Sequence, residues 1–313
     1  MPFFTIVVPV HNKEVSLDAA LSSAYQQTFR DFEVVAIDDC STDRSAALLK
    51  RHEGKGLVRV YRRSTPGPGG YAARNHGVSQ ARADWVVFLD ADDLLLPNHL
   101  QNFHEAIQEN PDVQFLVNAY EKIHQGKKSG RKKVFDTGRV SRKEALAAFT
   151  VADFIHMNGV CMHKPFFFSI GGFPEGRFRR GGDVYLWLKA LCQLEAIYYN
   201  EEVTSFWTMD SREVTRNTLN LRGGHPSVEL LVEEVGELNF LDRTRLKAAV
   251  NRKAIAWAVE KKSCGLPVAE DVWGLSFLGL RPRQFIPLVS LILPDRLFKG
   301  LRLLRKSRWS WLG

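Results

Sequence analysis

Apolar positions in the first 125 residues fall into short unbroken runs separated by stretches of helical spacing. Residues 4–10, 33–37, 58–61 and 85–89 are runs rich in Val, Ile and Phe. Between them, residues 17–27, 43–50, 71–81 and 97–109 repeat their apolar side chains every three or four positions. Ser41 or Thr42 is placed to cap the second of these helices. Continuous apolar strands alternating with helices predict a mainly parallel sheet covered by helices on both faces. In such sheets ligands collect at the loops that leave the carboxyl ends of the strands.

Further along, residues 113–120 and 132–135 read as two strands of a hairpin whose tip, 126–130, is basic and best explained as a solvated turn. Residues 141–215 mix helices with short strands, punctuated by Gly171-Gly172 and Gly181-Gly182, and beyond 216 the pattern is mainly helical. Apolar residues make up 45% and charged residues 25% of the 313, which describes a folded globular chain rather than a disordered one. The apolar stretch 285–294 contains Pro287 and Pro294 and is far short of the roughly 20 residues of a spanning helix. We therefore expect neither a signal peptide nor a membrane anchor. Cys40, Cys161, Cys192 and Cys264 are widely spaced, so zinc and a disulfide framework are not expected and a reducing cytoplasm is the expected location.

The net charge of +8 is unevenly placed. Residues 281–313 hold eight Lys/Arg against Asp295 alone, and residues 126–143 hold eight against Asp136 alone. The rest of the chain is net acidic, and no nucleic-acid reading motif accompanies the basic segments, so a nucleic-acid partner is not expected.

The most informative cluster is Asp90-Ala91-Asp92-Asp93, at the end of the fourth strand. Three carboxylates so close repel one another unless a cation or hydrogen-bond donors offset the charge. Hard oxygen ligands suit Mn²⁺ or Mg²⁺, which complete their shell with substrate phosphates and water. The second strand ends in Asp38-Asp39, where a carboxylate can accept from the edge of a base. The first strand ends in Pro9-Val10-His11-Asn12-Lys13-Glu14, where His11 can stack on one. Arg74, inside the third helix, can reach a diphosphate or pair with the acidic cluster. Gly67-Pro68-Gly69-Gly70-Tyr71-Ala72 matches G-x-G-x-x-A only formally, because it follows the third strand rather than the first.

These segments resemble, in order, the family 2 glycosyltransferases of the GT-A fold. The resemblance is carried by residues 7–14, 27–34, 38–43, Ala72-Ala73-Arg74-Asn75 and 90–93, then by Gly171-Gly172-Phe173-Pro174-Glu175 and 181–189, and covers roughly residues 3–210. It implies an α/β GT-A architecture: a Rossmann-like, mainly parallel nucleotide-binding sheet with helices on both faces and a C-terminal mainly helical extension. The implied division is a nucleotide-sugar-binding half at 1–125, an acceptor-binding half at 126–215, and an extension at 216–313. Pro9, His11 and Glu14 would border the nucleoside, and Asp39 would bond the base. Arg74, Asp90, Ala91 and Asp92 would contact the donor. Asp92 and Asp93 would hold Mn²⁺ or Mg²⁺, and Asp183 would be the catalytic base.

The sequence departs from the family pattern twice. Gly182 stands where an acid commonly precedes the base. Phe206-Trp207-Thr208-Met209-Asp210 lacks the His that often ligates the metal, and Asp210 is the substitute oxygen ligand. The implied activity is inverting transfer of a sugar, from a UDP-sugar above all, to an acceptor hydroxyl on a glycan or lipid-linked acceptor in surface glycan or lipopolysaccharide assembly. Two other readings are weaker. A non-catalytic nucleotide-sugar-binding or membrane-adaptor relative is supported only by Gly182 and the absent His. A sugar nucleotidyltransferase would need a Gly-rich phosphate loop after the first strand, and residues 9–14 contain no Gly.

Within 296–311, Leu297, Leu301 and Leu304 share a helical face, five basic residues from Lys299 to Arg308 decorate the other side, and Trp309 and Trp311 follow. That composition suits a helix in a membrane interface, so residues 295–313 are expected to meet an anionic membrane surface, with the enzyme peripheral on the inner face of the cell membrane. Neither the sugar nor the oligomeric state is legible in the sequence.

Overall fold

The β-branched run at the start of the chain becomes β1 (Phe4–Val10), and the sheet is built outwards from it. The molecule is described by a computed structural model over residues 1–130, 133–209, 218–233 and 236–298. On one side of β1 lie β2 (Phe32–Asp38) and β3 (Arg59–Arg62), and on the other β4 (Trp85–Phe88), all mutually parallel. The remaining described strands are β5 (Leu94–Leu95), β6 (Phe115–His124), β7 (Lys127–Lys128), β8 (Gly138–Ser141), β9 (Val160–His163) and β10 (Ala196–Thr208). The sheet order is β3-β2-β1-β4-β9-β6-β10-β5, with β7 on β6 and β8 on β10.

Both faces of β1 are buried, as its unbroken apolar run requires. Phe4, Ile6, Val8 and Val10 join a core with Leu17, Leu21, Leu100 and Phe103 from the helices Leu17–Tyr25 and His99–Glu109. The opposite face meets the helix Tyr71–Gln80, which packs close because residue 77 is glycine: a Cβ there would lie 2.3 Å from Val7 Cγ1. The parallel half therefore has helices on both sides.

The sheet is mainly parallel, as expected, with one antiparallel insertion, and the structure corrects the expected hairpin. Antiparallel β9 is inserted between β4 and β6, so the far half of the sheet is mixed. The hairpin also turns earlier than the basic tip suggests. Ile123 pairs with Lys128 and His124 with Lys127, leaving Gln125-Gly126 as a two-residue loop. Both loop residues have positive φ (48° and 71°), the backbone that matches the twist of a tight hairpin.

The chain divides into two compact units, one comprising Met1–Val140, Ile155–Leu186 and Ala196–Arg212, the other Ser141–Phe154, Trp187–Glu195 and Glu213–Gly313. The second unit is organised around the helix Phe240–Ser263, capped by the Asn239 side chain on Asp242 N–H at 2.8 Å. Arg252 and Lys253 of that helix converge on Asp153, Lys253 at 2.7 Å, and Arg252 also donates to the Phe149 carbonyl at 2.6 Å. Among the described residues no helix is long and apolar enough to cross a membrane.

Burial opposes ionisation of Asp153, but Lys253 and Arg252 outweigh it and hold its carboxyl well below the usual carboxylate range. Asp153→Ala should therefore lower the unfolding free energy by about 1–3 kcal/mol at pH 7, since it strands two partly buried cations. A depressed folded-state pKa stabilises only above the unfolded value. The gap between variant and wild type in denaturant melts should thus be full above about pH 5 and close as pH falls below about 4. A gap independent of pH would contradict the charge argument.

Candidate active site

Parallel pairing brings three strand ends to one edge of the first unit. Val10 pairs with Asp38 and Val7 with Phe88, so the loops at 11–14, 39–45 and 89–93 leave side by side. The first two loops are laced together. Asn12, at φ 52°, turns its Oδ1 to accept Thr42 N–H at 2.8 Å, and Glu14 accepts Arg44 N–H at 3.0 Å. Lys13 N–H donates to Ser45 Oγ at 2.7 Å, and His11 Nδ1 donates to the Asp39 carbonyl at 2.7 Å. Asn tolerates left-handed backbone better than most residues, which suits position 12.

Asp39 is buried and clasped by the loop that precedes the helix Tyr71–Gln80. Its Oδ1 takes Arg63 Nη1, and its Oδ2 accepts Gly67 N–H at 3.2 Å. Pro9 and His11 border the same strand end, with His11 exposed. Glu14 is exposed, and its carboxylate braces the neighbouring loop.

At the end of β4 the three acids have three different environments. Asp90 accepts from Arg74, a buried arginine that also donates to the Gly69 carbonyl at 3.1 Å and lies 5.8 Å over the Phe173 ring. Burial alone would raise the Asp90 pKa, but Arg74 and His156 lower it below the usual value. Asp92 is paired with Lys13, 79 positions earlier. Asp93 is buried, accepting Thr208 N–H at 2.7 Å and Asn158 Nδ2–H at 2.6 Å. Burial, then the charges of Asp90 and Asp92, push its pKa well up. Ala91 is buried between them. Asn158 serves two acids at once, since its Oδ1 also accepts Asp90 N–H at 2.9 Å.

Asp183 opens the helix Gly182–Gln193. Its charge is felt by Tyr71, Arg74 and His156, which ties it electrostatically to the residues around Asp90. The preceding glycine has a steric cause. Tyr71 accepts Gly182 N–H at 2.8 Å, and a Cβ at 182 would lie 2.8 Å from Tyr71 Cζ and 3.0 Å from Pro174 Cγ. Asn75 fixes the adjoining loop by exchanging hydrogen bonds with the Phe173 backbone, both at 2.9 Å.

A cluster of three aromatic rings stands beside these groups. His156 lies against both Tyr120 and Trp207, with ring centroids 4.7 Å away in each case and interplanar angles of 30° and 29°, and the Tyr120 and Trp207 rings are themselves 6.3 Å apart at 53°. Burial lowers its pKa to about 4 against the opposing pull of Asp90 and Asp183, so its imidazole is neutral at pH 7. Nδ1 accepts Asn158 N–H at 3.4 Å.

The structure thus gathers Pro9, His11, Asp39, Arg74, Asp90, Ala91, Asp92, Asp93 and Asp183 into the first unit, whereas Asp210 lies outside the described residues. Sequence reasoning missed Lys13, Arg63, Tyr71, His156 and Asn158. Lys13 sits inside the quoted strand-end segment, but nothing local announces its partner. Among the described residues, no group of three or more His, Cys, Asp or Glu is arranged as a ready metal cage.

Comparison with known proteins bears directly on this constellation. The sequence model described as glycosyl transferase family 2 matches residues 5–167. An uncharacterized glycosyltransferase of Haemophilus influenzae is 34% identical over 112 residues, 36% of this chain and 37% of that one. Succinoglycan biosynthesis protein ExoW of Rhizobium meliloti is 40% identical over 114 residues, 34% of each chain. Staphylococcus aureus TarS, a poly(ribitol-phosphate) beta-N-acetylglucosaminyltransferase, is 32% identical over 116 residues, 36% of this chain and 20% of that one. The matches thus span well under half the length of these relatives.

A TarS crystal structure in complex with UDP-GlcNAc superposes with a TM-score of 0.72 over 97% of this chain and 88% of that one, at 19% identity. A Pyrobaculum calidifontis mannosyltransferase in complex with GDP-Man and Mn²⁺ gives 0.61 over 99% and 82%, at 16% identity. At such identities the superpositions establish the fold alone: an α/β GT-A architecture with a helical C-terminal region. With the family sequence model matched across more than half its length, on the residues that form these strand ends, the chain belongs to glycosyl transferase family 2.

Proposed function

We propose that the protein is an inverting glycosyltransferase that moves a sugar from a UDP-sugar to an acceptor hydroxyl during surface glycan assembly. The observation that carries this reading is the convergence, at one sheet edge, of an acidic cluster, two cations facing it and the Asp183 carboxylate. The UDP preference draws support from the TarS complex with UDP-GlcNAc, and the glycan context from the names of ExoW and TarS. Donor binding is assigned to residues 1–125, acceptor binding to 126–215 and a helical extension to 216–313.

In the mechanism, Asp183 takes the proton of the acceptor hydroxyl as that oxygen attacks the anomeric carbon. The bond from the anomeric carbon to phosphate breaks with its electron pair on the diphosphate, and a single displacement inverts the configuration. Arg74 and Lys13 face the region where that negative charge develops. Pro9, His11 and Asp39 hold the nucleoside, with the Arg63 clasp fixing Asp39. The cluster of Tyr120, His156 and Trp207 offers aromatic surface for the acceptor sugar, and neutral His156 adds no competing charge.

The residues present fit a divalent cation in the donor complex. The cluster supplies closely spaced hard carboxylate oxygens, crowded enough that burial, then the charges of Asp90 and Asp92, raises the Asp93 pKa. Mn²⁺ or Mg²⁺, when bound, supplies positive charge to the diphosphate. Asp92, less buried than Asp93, is the carboxylate assigned to hold it, with Asp210 as a further assigned ligand. Asp93, committed to Thr208 and Asn158, shapes the cluster from behind. Lys13 then exchanges Asp92 for phosphate oxygens. We place the protein on the cytoplasmic face of the cell membrane, with the basic segment 295–313 meeting anionic lipid.

Four experiments follow from this reading. A thermal-shift panel of nucleotide-sugars with Mn²⁺ should single out a UDP-sugar, and stabilisation by none of them would overturn the donor assignment. With that donor, Asp183→Asn should retain the shift while nucleoside diphosphate release during transfer falls at least about a hundredfold. Lys13→Met should weaken UDP binding in EDTA by about tenfold or more, yet let Mn²⁺ alone raise the melting temperature; equal Mn²⁺ responses in both proteins would remove Lys13 from Asp92. Finally, Gly182→Glu restores the acid common in the family, but it should destabilise the fold by about 1–3 kcal/mol, because its Cβ meets the Tyr71 ring.

A further inference from the structure

In the second unit, residues 276–298 lie along one side of the helix Phe240–Ser263. Asn251 exchanges hydrogen bonds with the Ser276 backbone at 2.7 and 2.9 Å, and Gln284 Nε2 donates to the Ala248 carbonyl at 2.9 Å. Lys262 Nζ donates to the Leu291 carbonyl at 2.7 Å, and Leu291 and Phe298 pack on Ala258. The inward positions are therefore Gln284, Pro287, Ser290 and Leu291, all buried. The side chains not turned to the helix are apolar and exposed: Phe277 (86%), Leu278, Phe285, Ile286, Val289 and Ile292 (83%). Phe285, Ile286 and Val289 share one face of the helix Pro282–Ser290 at i, i+1 and i+4.

Single exposed apolar residues are ordinary, but six large ones on one short segment are not. Arg281 and Arg283 rim the face, both exposed. Asp295, the only acid between 272 and 313, sits 3.7 Å from Lys262. The sequence then continues with Lys299, Arg302, Arg305, Lys306 and Arg308 without an acid. A symmetric pairing of two copies through this face would set these like-charged segments against each other. An anionic bilayer instead accepts the apolar side chains and supplies the counter-charge.

We propose that the outward face of residues 277–292 is a membrane-interface contact that inserts Phe277, Phe285 and Ile286 among the lipids. The proposal rests on the membrane location given above but assigns the apolar part of the contact to this face, leaving electrostatic attraction to the basic tail. The two contributions separate by salt, because about 0.5 M NaCl shortens the Debye length to roughly 4 Å and leaves apolar insertion intact.

The test is co-sedimentation of the full chain with vesicles of phosphatidylcholine, with and without phosphatidylglycerol, at low and at about 0.5 M NaCl. Wild type should bind the anionic vesicles and keep a fraction bound in high salt. Phe277→Ser, Phe285→Ser and Ile286→Ser together should cut that salt-resistant partition at least about tenfold, with an unchanged melting temperature and an unchanged UDP-sugar shift. Replacing Lys299, Arg302, Arg305, Lys306 and Arg308 by Gln should remove the salt-sensitive part instead. Salt-resistant binding equal to wild type in the triple Ser variant overturns the proposal and leaves the tail reading standing. No vesicle binding by wild type overturns both. A wild-type dimer that the triple variant dissociates, without vesicle binding, overturns it in favour of a subunit interface.

Discussion

The site depends on one electrostatic constraint: three carboxylates within four residues at the end of a buried strand cannot share that space without compensation. Each is answered from a different part of the first unit. Lys13 comes from the loop after β1, Arg74 from the helix that packs on β1, Asn158 from the turn just before β9, and the Thr208 backbone from the end of β10. The cluster is thus a fastening point as well as a binding surface. Asp93 shows the constraint at its limit, because two hydrogen bonds do not prevent burial, then the charges of Asp90 and Asp92, from raising its pKa. A site whose crowded carboxylates are faced by two cations is organised for a ligand that carries its own negative charge and brings a cation along.

How much of this was legible follows from the range of each interaction. β1 is readable from residues 4–10 because an unbroken apolar run has one good solution, burial on both faces. The helix Tyr71–Gln80 and the strands at 32–38 and 85–88 follow from the same local alternation within a residue or two. The strand-end rule then collects Pro9, His11, Asp39 and Asp90 at one edge without any coordinates. The antiparallel insertion of β9 was not legible, since its four residues look like any short apolar run and only pairing with β4 and β6 gives them a direction. The same holds for Lys13 and Asp92, 79 positions apart, and for Asn158 and Asp93, 65 apart. Such pairs have no periodicity to betray them. The hairpin turn at Gln125-Gly126 carried a local signal in its glycine, but five basic residues around it suggested a longer solvated tip.

Gly182 shows why departures from a family pattern need a steric reading before a functional one. From sequence alone, glycine beside Asp183 looks like the loss of an acid and thus weak support for a non-catalytic relative. In the structure the space belongs to the Tyr71 ring, whose hydroxyl accepts the Gly182 N–H at the start of the helix bearing Asp183. Tyr71 is buried, stacks on Phe173 at 5.9 Å, and precedes Arg74 by one helical turn. The ring therefore links the helix that presents Arg74 to the helix that presents Asp183. The space beside Gly182 is taken by an aromatic brace between two charged groups of the site. The bulky neighbour and the missing side chain fit the same volume, and the charge of Asp183 is left where Arg74 and His156 both feel it.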